Sequence, residues 1–289
     1  MQAIASAAQD TGPATDYSRF YAAVARAQLT HWLAELAPPR GEWGDGQSPH
    51  AGGHRGVAPR GQAGLAELKT GPFILDISGS GTRAAEVAEV AAAAGHAVLR
   101  VAAPGAPAPP AAGAETAGRL LTVTADGGGL EFLADGCAGG VIAEDRTLSR
   151  QLAAETLVGE IARVLRPGGL VLACVDSLNL GMAVLAEQHR WLHLIDVPNA
   201  DVVLVPWPDG TITRCYGAEQ LRELFTGGGL EVNWIRPRTV FSPRTVSYLL
   251  ARDQRNFGRL VTAELSARAD DSVGAQLIIC AVKTEPFSS

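Results

Sequence analysis

Short runs of apolar residues alternate with segments of helical pattern between residues 72 and 175. The apolar runs contain few polar residues, which is typical of strands that are buried on both faces of a parallel sheet. This alternation predicts an α/β fold in which helices cover a mostly parallel sheet. Strands are predicted over residues 73–77, 97–102, 120–124, 139–143 and 170–175, and helices over residues 82–94 and 152–165.

The region before the first strand has a different pattern. Apolar residues recur at helical spacing over residues 16–36, which predicts a helix with Asp16 as its N-cap. Residues 40–64 are rich in Gly, Pro, His and Arg and show no periodicity, so we expect a long flexible loop. We therefore divide the chain into an N-terminal cover, residues 1–64, and a main domain, residues 65–289.

The alternation breaks after the fifth predicted strand. Residues 178–194 have a helical pattern, and two strands joined by a turn rich in Pro, Asp and Gly are predicted to follow. This part is interpreted as an inserted helix and hairpin at about residues 178–216. The remaining predicted elements are the hairpin strands 201–205 and 211–216, a helix over 218–225, a partly helical segment over 242–268, and closing strands over 230–234 and 276–282.

Composition narrows the classes of function. Apolar residues make up 47% of the 289 residues, and the net charge is −6, so the chain has no general attraction for nucleic acid or an anionic membrane. No run reaches the roughly 18 apolar residues of a membrane span, and no signal peptide is recognised. The four cysteines are far apart and predict neither a disulfide framework nor a metal site. We therefore expect a cytoplasmic protein.

The loop after the first predicted strand carries the first candidate chemistry. Asp76 ends the strand, Ser78, Gly79 and Gly81 form the turn, and a helix begins near Thr82. Glycines permit such a turn and remove Cβ atoms that would clash with a ligand, while the helix N-terminus offers free N–H groups to an anion. Alone, this turn fits a site for NAD, a site for S-adenosylmethionine (SAM), or a turn with no ligand.

Two segments later in the sequence help to decide which ligand the turn after the first strand would bind. Val123 to Asp126 ends the third strand with an acidic residue, and Glu160 to Gly169 is a helical segment that runs through Leu-Arg-Pro-Gly-Gly into the fifth strand. In this order and spacing the segments resemble class I SAM-dependent methyltransferases over about residues 65–284. The resemblance implies a Rossmann-like seven-stranded, mostly parallel sheet with an antiparallel last strand, an N-terminal helical cover, and SAM as the cofactor.

The resemblance assigns cofactor contacts to the loops after the strands. The turn after the first strand would lie along the methionine and ribose of SAM, and Asp126 would bind the adenine amino group, although it could instead be a turn-forming Asp before three glycines. Ala143 and Glu144 match the position that faces the sulfonium and the acceptor. The full set of expected cofactor contacts is Asp76, Ser78, Gly79, Gly81, Ala102, Asp126, Gly127, Ala143, Glu144, Tyr17 and Tyr21.

Two features depart from the family pattern. Ser78 stands where the family has the first glycine of the turn, and the second strand ends at Ala102 without the carboxylate that would chelate the ribose hydroxyls. A charge-assisted hydrogen bond contributes about 1.5–3 kcal/mol, so SAM would bind more weakly or be held differently. The same absence argues against NAD. NADP would require an Arg such as Arg83 or Arg100, but the later segments do not fit a dehydrogenase.

The N-terminal helix and the insertion supply candidates for closing the site. Tyr17 and Tyr21 could cover the sulfonium through a cation–π contact, and ordinary helix packing is the alternative. The candidate bases are His189, His193 and Glu144, although either histidine could equally be a surface or core residue. The candidate acceptor-binding residues are Trp32, Trp191 and Arg214.

These observations favour a SAM-dependent methyltransferase that acts on a small molecule, in specialised metabolism. No nucleic acid, membrane or metal partner is expected, and a homodimer is one candidate assembly. Three alternatives stay open: a divergent enzyme that cyclises the aminobutyrate arm of SAM and releases methylthioadenosine, a cofactor-independent cyclase, and a non-catalytic binding protein.

Overall fold

The computed structural model describes residues 15–36, 72–79, 82–105, 120–125, 129–197, 200–267 and 273–284, without the side chains of residues 82–85. The expected flexible loop over residues 40–64 lies outside this part of the chain. Gly81, Asp126 and Gly127 lie outside it as well.

The core of the molecule is the sheet that the alternating pattern predicts. Five parallel strands lie in the order β3-β2-β1-β4-β5, and β9 pairs antiparallel with β5 and with β8. These seven strands confirm the Rossmann-like sheet with an antiparallel last strand. The strands are β1 Phe73–Asp76, β2 Val98–Ala102, β3 Leu120–Thr124, β4 Ala138–Ala143, β5 Leu165–Ser177, β6 Val203–Pro206, β7 Ile212–Tyr216, β8 Glu231–Arg238 and β9 Gln276–Val282.

Helices cover both faces of this sheet because successive side chains of its strands point to opposite sides. Ile74 packs with α1 and α2, whereas Leu75 packs in the core that α4 and α7 cover. The helices are α1 Asp16–Glu35, α2 Thr82–Ala93, α3 Thr147–Arg150, α4 Ala154–Val164, α5 Leu178–Glu187, α6 Trp191–Asp196, α7 Ala218–Gly227, α8 Pro243–Arg252 and α9 Phe257–Leu265. None of the described helices has the length and apolar character that a bilayer span requires.

The N-terminal helix α1 is held on the sheet by large apolar side chains. Trp32 is fully buried, and a Cβ on Gly140 of β4 would lie 3.0 Å from its ring. The missing side chain at Gly140 therefore lets α1 approach the strand. The N-cap is Thr15 rather than the expected Asp16, since the Thr15 hydroxyl oxygen accepts a hydrogen bond from the Ser18 N–H at 3.1 Å.

The inserted hairpin extends the main sheet. Asp176 of β5 pairs with Gln276 of β9 on one edge and with Cys215 of β7 on the other, so β7 occupies the edge that β4 leaves free. The predicted helix over residues 178–194 is in fact two helices, α5 and α6. His189, at a φ of +56°, lies in the break between them, a conformation that a continuous helix cannot contain.

Two other predicted boundaries were wrong. The helix α4 ends at Val164, and β5 already begins at Leu165, because Leu165 pairs with Ala138 of β4. Tertiary pairing therefore overrides the turn character of the Arg-Pro-Gly-Gly segment. The strand β8 continues to Arg238 instead of ending near residue 234, and this extension carries Arg238 into the candidate site.

Candidate functional site

The turn after β1 is tied directly to the end of β4. The Ser78 N–H donates a hydrogen bond to Oδ1 of Asp76 at 3.0 Å, and the Glu144 N–H donates one to Oγ of Ser78 at 3.0 Å. Ser78 is buried, so its hydroxyl group serves as an internal link between the two loops. The serine that stands in place of the first glycine of the family's turn thus connects the loop after β1 to the loop after β4.

Asp76 is a buried carboxyl group with an incomplete set of partners. Burial raises its pKa to about 6, and the hydrogen bonds from Ser78 and the nearby Arg100 oppose that rise. Nε of Arg100 lies 3.8 Å from Oδ2 of Asp76, which is too far for a hydrogen bond. Oδ2 therefore has no hydrogen-bond partner among the described residues. A buried oxygen of this kind can accept a hydrogen bond from a ligand.

Gly79 gives the turn an open side. Its φ of +86° lies in a region that residues with a side chain rarely adopt. Among the described residues other than its chain neighbours, the nearest atom to a Cβ built at this position would be Nη1 of Arg150, at 3.9 Å. A ligand can therefore approach the backbone closely here, as the glycines of the turn predict.

The loop after β4 is strained and clamped. Asp145 and Arg146 follow each other at φ values of +54° and +62°, a conformation that costs about 1–3 kcal/mol per residue without glycine. Arg146 is fixed by hydrogen bonds of 2.7–2.9 Å to both carboxylate oxygens of Asp176, and its guanidinium group lies 4.5 Å from the ring centre of Trp207. These contacts hold the strained loop in place.

A second buried ion pair joins the end of β8 to the end of β4. Nη1 and Nη2 of Arg238 donate to the two carboxylate oxygens of Glu144 at 2.8 and 2.9 Å. Nε of Arg238 donates to Oε1 of Gln28 at 2.6 Å, and Nη1 also reaches the Tyr21 hydroxyl at 3.3 Å. Tyr21 in turn donates to Oε1 of Gln276 at 2.9 Å. The N-terminal helix is thereby anchored to the site by a polar network.

A cavity of about 660 Å³ begins at this junction. It runs between the segment of α1 from Tyr21 to Leu29 and the segment of α2 from Glu86 to Ala93, and Glu144 and Asp145 line it at the end of β4. The volume is in the range of sites for small molecules. The described residues contain no group of three or more His, Cys, Asp or Glu that could hold a metal ion.

The structure brings several of the expected cofactor residues to one edge of the sheet. Asp76 and Ala143 end the neighbouring strands β1 and β4, and the loops that follow meet at Ser78 and Glu144. Tyr21 reaches the same edge from α1. Ala102 ends the next strand, β2, and is followed by Ala, Pro and Gly, so the described end of β2 offers no carboxylate for a ribose.

Other expected site residues lie elsewhere. Trp32 is a core residue with no exposed surface, which corrects its assignment as an acceptor contact. Tyr17 packs with apolar residues of α8 and α9, which is the ordinary helix packing given above as the alternative to a sulfonium contact. His189, His193 and Trp191 are exposed on the insertion and do not line the cavity. Arg214 is buried but bound to Glu155 at 2.6 Å.

Four charged residues of the site were missed at the sequence level: Asp145, Arg146, Arg150 and Arg238. Asp145 and Arg146 directly follow Glu144, and a charged triplet after an apolar strand is a signal that could have drawn attention to them. Arg238 has no such signal, because 93 residues separate it from Glu144 in the sequence.

No family model matches the chain, and no curated protein matches it. Among solved structures, a SAM-dependent methyltransferase from Methanosarcina mazei is similar at 17% identity over 74% of this chain and 93% of that chain, with a TM-score of 0.48. A 1,6-didemethyltoxoflavin-N1-methyltransferase from Burkholderia thailandensis is similar at 18% identity over 96% and 93%, with a TM-score of 0.46. The cyclase SpnF is similar at 21% identity over 95% and 98%, with a TM-score of 0.43. The strand order of the sheet, rather than these similarities, establishes the Rossmann-like fold.

Proposed function

We propose that this chain is a SAM-dependent methyltransferase that acts on a small-molecule acceptor, in specialised metabolism. The observation that carries the proposal is the junction at the carboxyl ends of β1 and β4, where Ser78 links Asp76 to Glu144 beside the cavity. In open α/β sheets, ligands bind in the crevice outside the carboxyl ends of the strands.

The residues at this junction suit SAM in several respects. Oδ2 of Asp76 is a buried acceptor that a ligand ammonium or hydroxyl group could satisfy. Gly79 leaves room for close approach of a ligand. Tyr21, whose aromatic ring can attract a sulfonium cation, lines the cavity. Because Ala102 replaces the usual ribose acid, we expect affinity lower by about 1.5–3 kcal/mol than in a site that has that acid.

When bound, SAM supplies an electrophilic methyl group. The chain itself must then hold the acceptor atom in line with that group, exclude water, and receive a proton where the acceptor loses one. The helix α1, anchored through Tyr21 and Gln28, closes one side of the cavity against water. His189 and His193 could act as bases only if the insertion moved toward the cavity, so we favour a carboxylate at the end of β4.

Calorimetry with SAM and with S-adenosylhomocysteine (SAH) tests the binding part of the proposal. We expect binding in the micromolar range, and we expect Gly79→Ala to weaken it at least about tenfold, through the strain of a positive φ and a new Cβ in the turn. Gly210→Ala is the matched control, since Gly210 has a φ of +85° in the hairpin turn. No binding of either ligand at millimolar concentration would favour a non-catalytic protein. Equal losses of affinity in Gly79→Ala and Gly210→Ala would show that the turn after β1 is not part of the site.

Mass spectrometry of the products tests the reaction. With SAM and an accepted acceptor, we expect SAH and an acceptor that is heavier by one methyl group. Methylthioadenosine from SAM alone would instead indicate intramolecular attack on the aminobutyrate arm.

A further inference from the structure

We infer that Asp145 is the carboxylate that binds the acceptor and that the acceptor is an amine carried on an apolar body. This inference rests on the proposed function and deepens it. The sequence directs attention to Glu144, whereas the geometry of the loop after β4 points to its neighbour.

The first observation is the strain at Asp145. Two consecutive residues other than glycine hold positive φ values here, and strain of this kind persists only where the surrounding structure imposes it. The surrounding structure does impose it, through the bidentate Arg146–Asp176 pair and the stacking of Arg146 on Trp207. Such support is typical of positions where a side chain must be presented in one orientation.

The second observation separates the two neighbouring carboxylates. Both oxygens of Glu144 accept hydrogen bonds from Arg238, which has no exposed surface. The Glu144 carboxylate is therefore already used in a buried structural ion pair. Oδ2 of Asp145 contacts Nη1 of Arg150 at 3.2 Å, and the side chains of Arg150 and Asp145 are 47% and 20% exposed. Because the guanidinium group of Arg150 is open to solvent, a ligand cation can compete with it for Asp145.

The third observation is the chemistry of the cavity. Apolar side chains such as Leu29, Val87 and Val90 line its walls. Four acidic residues, Glu86, Glu89, Glu144 and Asp145, line the cavity, and Arg26 is the one basic residue among its described lining residues. A cleft with an excess of carboxylates attracts cations, and the apolar walls favour a hydrophobic body.

The helices also set the length of the ligand. Tyr21 and Leu29 are eight residues apart on α1, which corresponds to about 12 Å at 1.5 Å per residue. A ligand that extends along this wall from Asp145 would therefore have roughly the size of an arylalkylamine or a short alkylamine.

The chemical step balances with Asp145 in this role. The bound ammonium group first gives one proton to the Asp145 carboxylate and from there to water, which frees a lone pair on the nitrogen. That lone pair forms the bond to the methyl carbon as the carbon–sulfur bond breaks, and the electron pair of the broken bond goes to sulfur, which becomes a neutral thioether. The methylated nitrogen keeps the positive charge as an ammonium ion. No other reactant is needed.

The test measures binding of 2-phenylethylamine, tryptamine and hexylamine in the presence of SAH, each against the alcohol that carries a hydroxyl group in place of the amine. We expect at least one amine to bind more tightly than its alcohol, and Asp145→Asn to weaken that binding at least about tenfold, the loss that a charge-assisted hydrogen bond implies. Asp196→Asn is the matched control, because Asp196 is exposed on α6.

The outcomes separate this inference from the proposed function. If SAH binds but every amine binds no better than its alcohol, or if Asp145→Asn binds the amine as the wild type does, the inference is wrong and the proposed function stands. If neither SAM nor SAH binds, both fail. Unchanged affinity of Asp145→Asn for SAH shows that the variant folds and that its defect concerns the acceptor.

Discussion

The Arg238–Glu144 pair offers the sharpest test of how the site is held together. Arg238 has no exposed surface, and its guanidinium group donates to Glu144, Gln28 and Tyr21. Arg238→Met removes all of these donors and leaves the Glu144 carboxylate buried without a partner. Breaking a buried ion pair from one side costs about 3–5 kcal/mol, a large part of the 5–15 kcal/mol that stabilises a typical domain.

A double-mutant cycle isolates the pair itself. Glu144→Met leaves the Arg238 charge without its carboxylate and should cost a similar 3–5 kcal/mol. The double variant removes both charges, so it should lose less free energy of unfolding than the sum of the single variants, by about 2–3 kcal/mol. The measurement is urea unfolding followed by circular dichroism, with m-values compared between variants.

The matched control is Arg236→Met on the same strand. Arg236 is only partly buried and lies 4.8 Å from the ring centre of Trp234, so we expect a cost below about 1 kcal/mol. If the effects of Arg238→Met and Glu144→Met add within about 0.5 kcal/mol, the two side chains do not stabilise each other, since additivity marks sites that do not interact. If Arg238→Met costs no more than the control, Arg238 does not hold the site together.

Burial raises the pKa of Asp76 from 3.8 to about 6, so the folded chain binds this proton more tightly than the unfolded chain, and stability falls as the pH rises through that range. Asp76→Asn should therefore gain about 2.4 kcal/mol relative to the wild type between pH 4 and pH 7 in urea unfolding, and a constant difference would contradict this. Gly159→Ala should stabilise α4 by about 0.5–1 kcal/mol, because among the described residues no atom outside the adjacent helix backbone lies within 4 Å of the new Cβ. Gly181→Ala in α5 should destabilise by about 1–3 kcal/mol, because its Cβ would lie 2.9 Å from Sγ of Cys215; thermal shifts of the two alanine variants with the same sign would contradict one of the two expectations.

The parts of the fold that follow from local pattern could be predicted from the sequence. The strands β1 to β4 are short and continuously apolar or nearly so, and α2 is rich in alanine, so period and propensity agree. The start of β5 could not be predicted in this way. Arg166 to Gly169 has turn character, but Leu165 already pairs with β4, and Lys283 near the end of β9 binds the Gly168 N–H through its carbonyl oxygen. Pairing partners distant in sequence decide such boundaries.

In the candidate site, too, some contacts could be predicted from the sequence and others could not. The convergence of Asp76, Ser78 and Glu144 follows from the parallel order of β1 and β4, since the carboxyl ends of neighbouring parallel strands meet at one edge. Arg238 and Gln276 reach that edge from β8 and β9, whose positions depend on the closing antiparallel pair. Residue types near the end of a strand therefore indicate which side chains lie at the candidate site, but they do not indicate which partners neutralise them.

The insertion shows why residue types alone can direct attention to the wrong face of an element. Its outer helix α6 carries the exposed His193 and Trp191, which resemble acceptor-binding groups. Its inner hairpin carries Trp207, which is buried, donates through Nε1 to Thr213 at 2.7 Å, and stacks on Arg146. Because Arg146 holds the strained loop that presents Asp145, the hairpin supports the site from beneath. An insertion that joins the main sheet through β7 is thus part of the framework of the candidate site, because it packs Trp207 against the residue that holds the loop after β4.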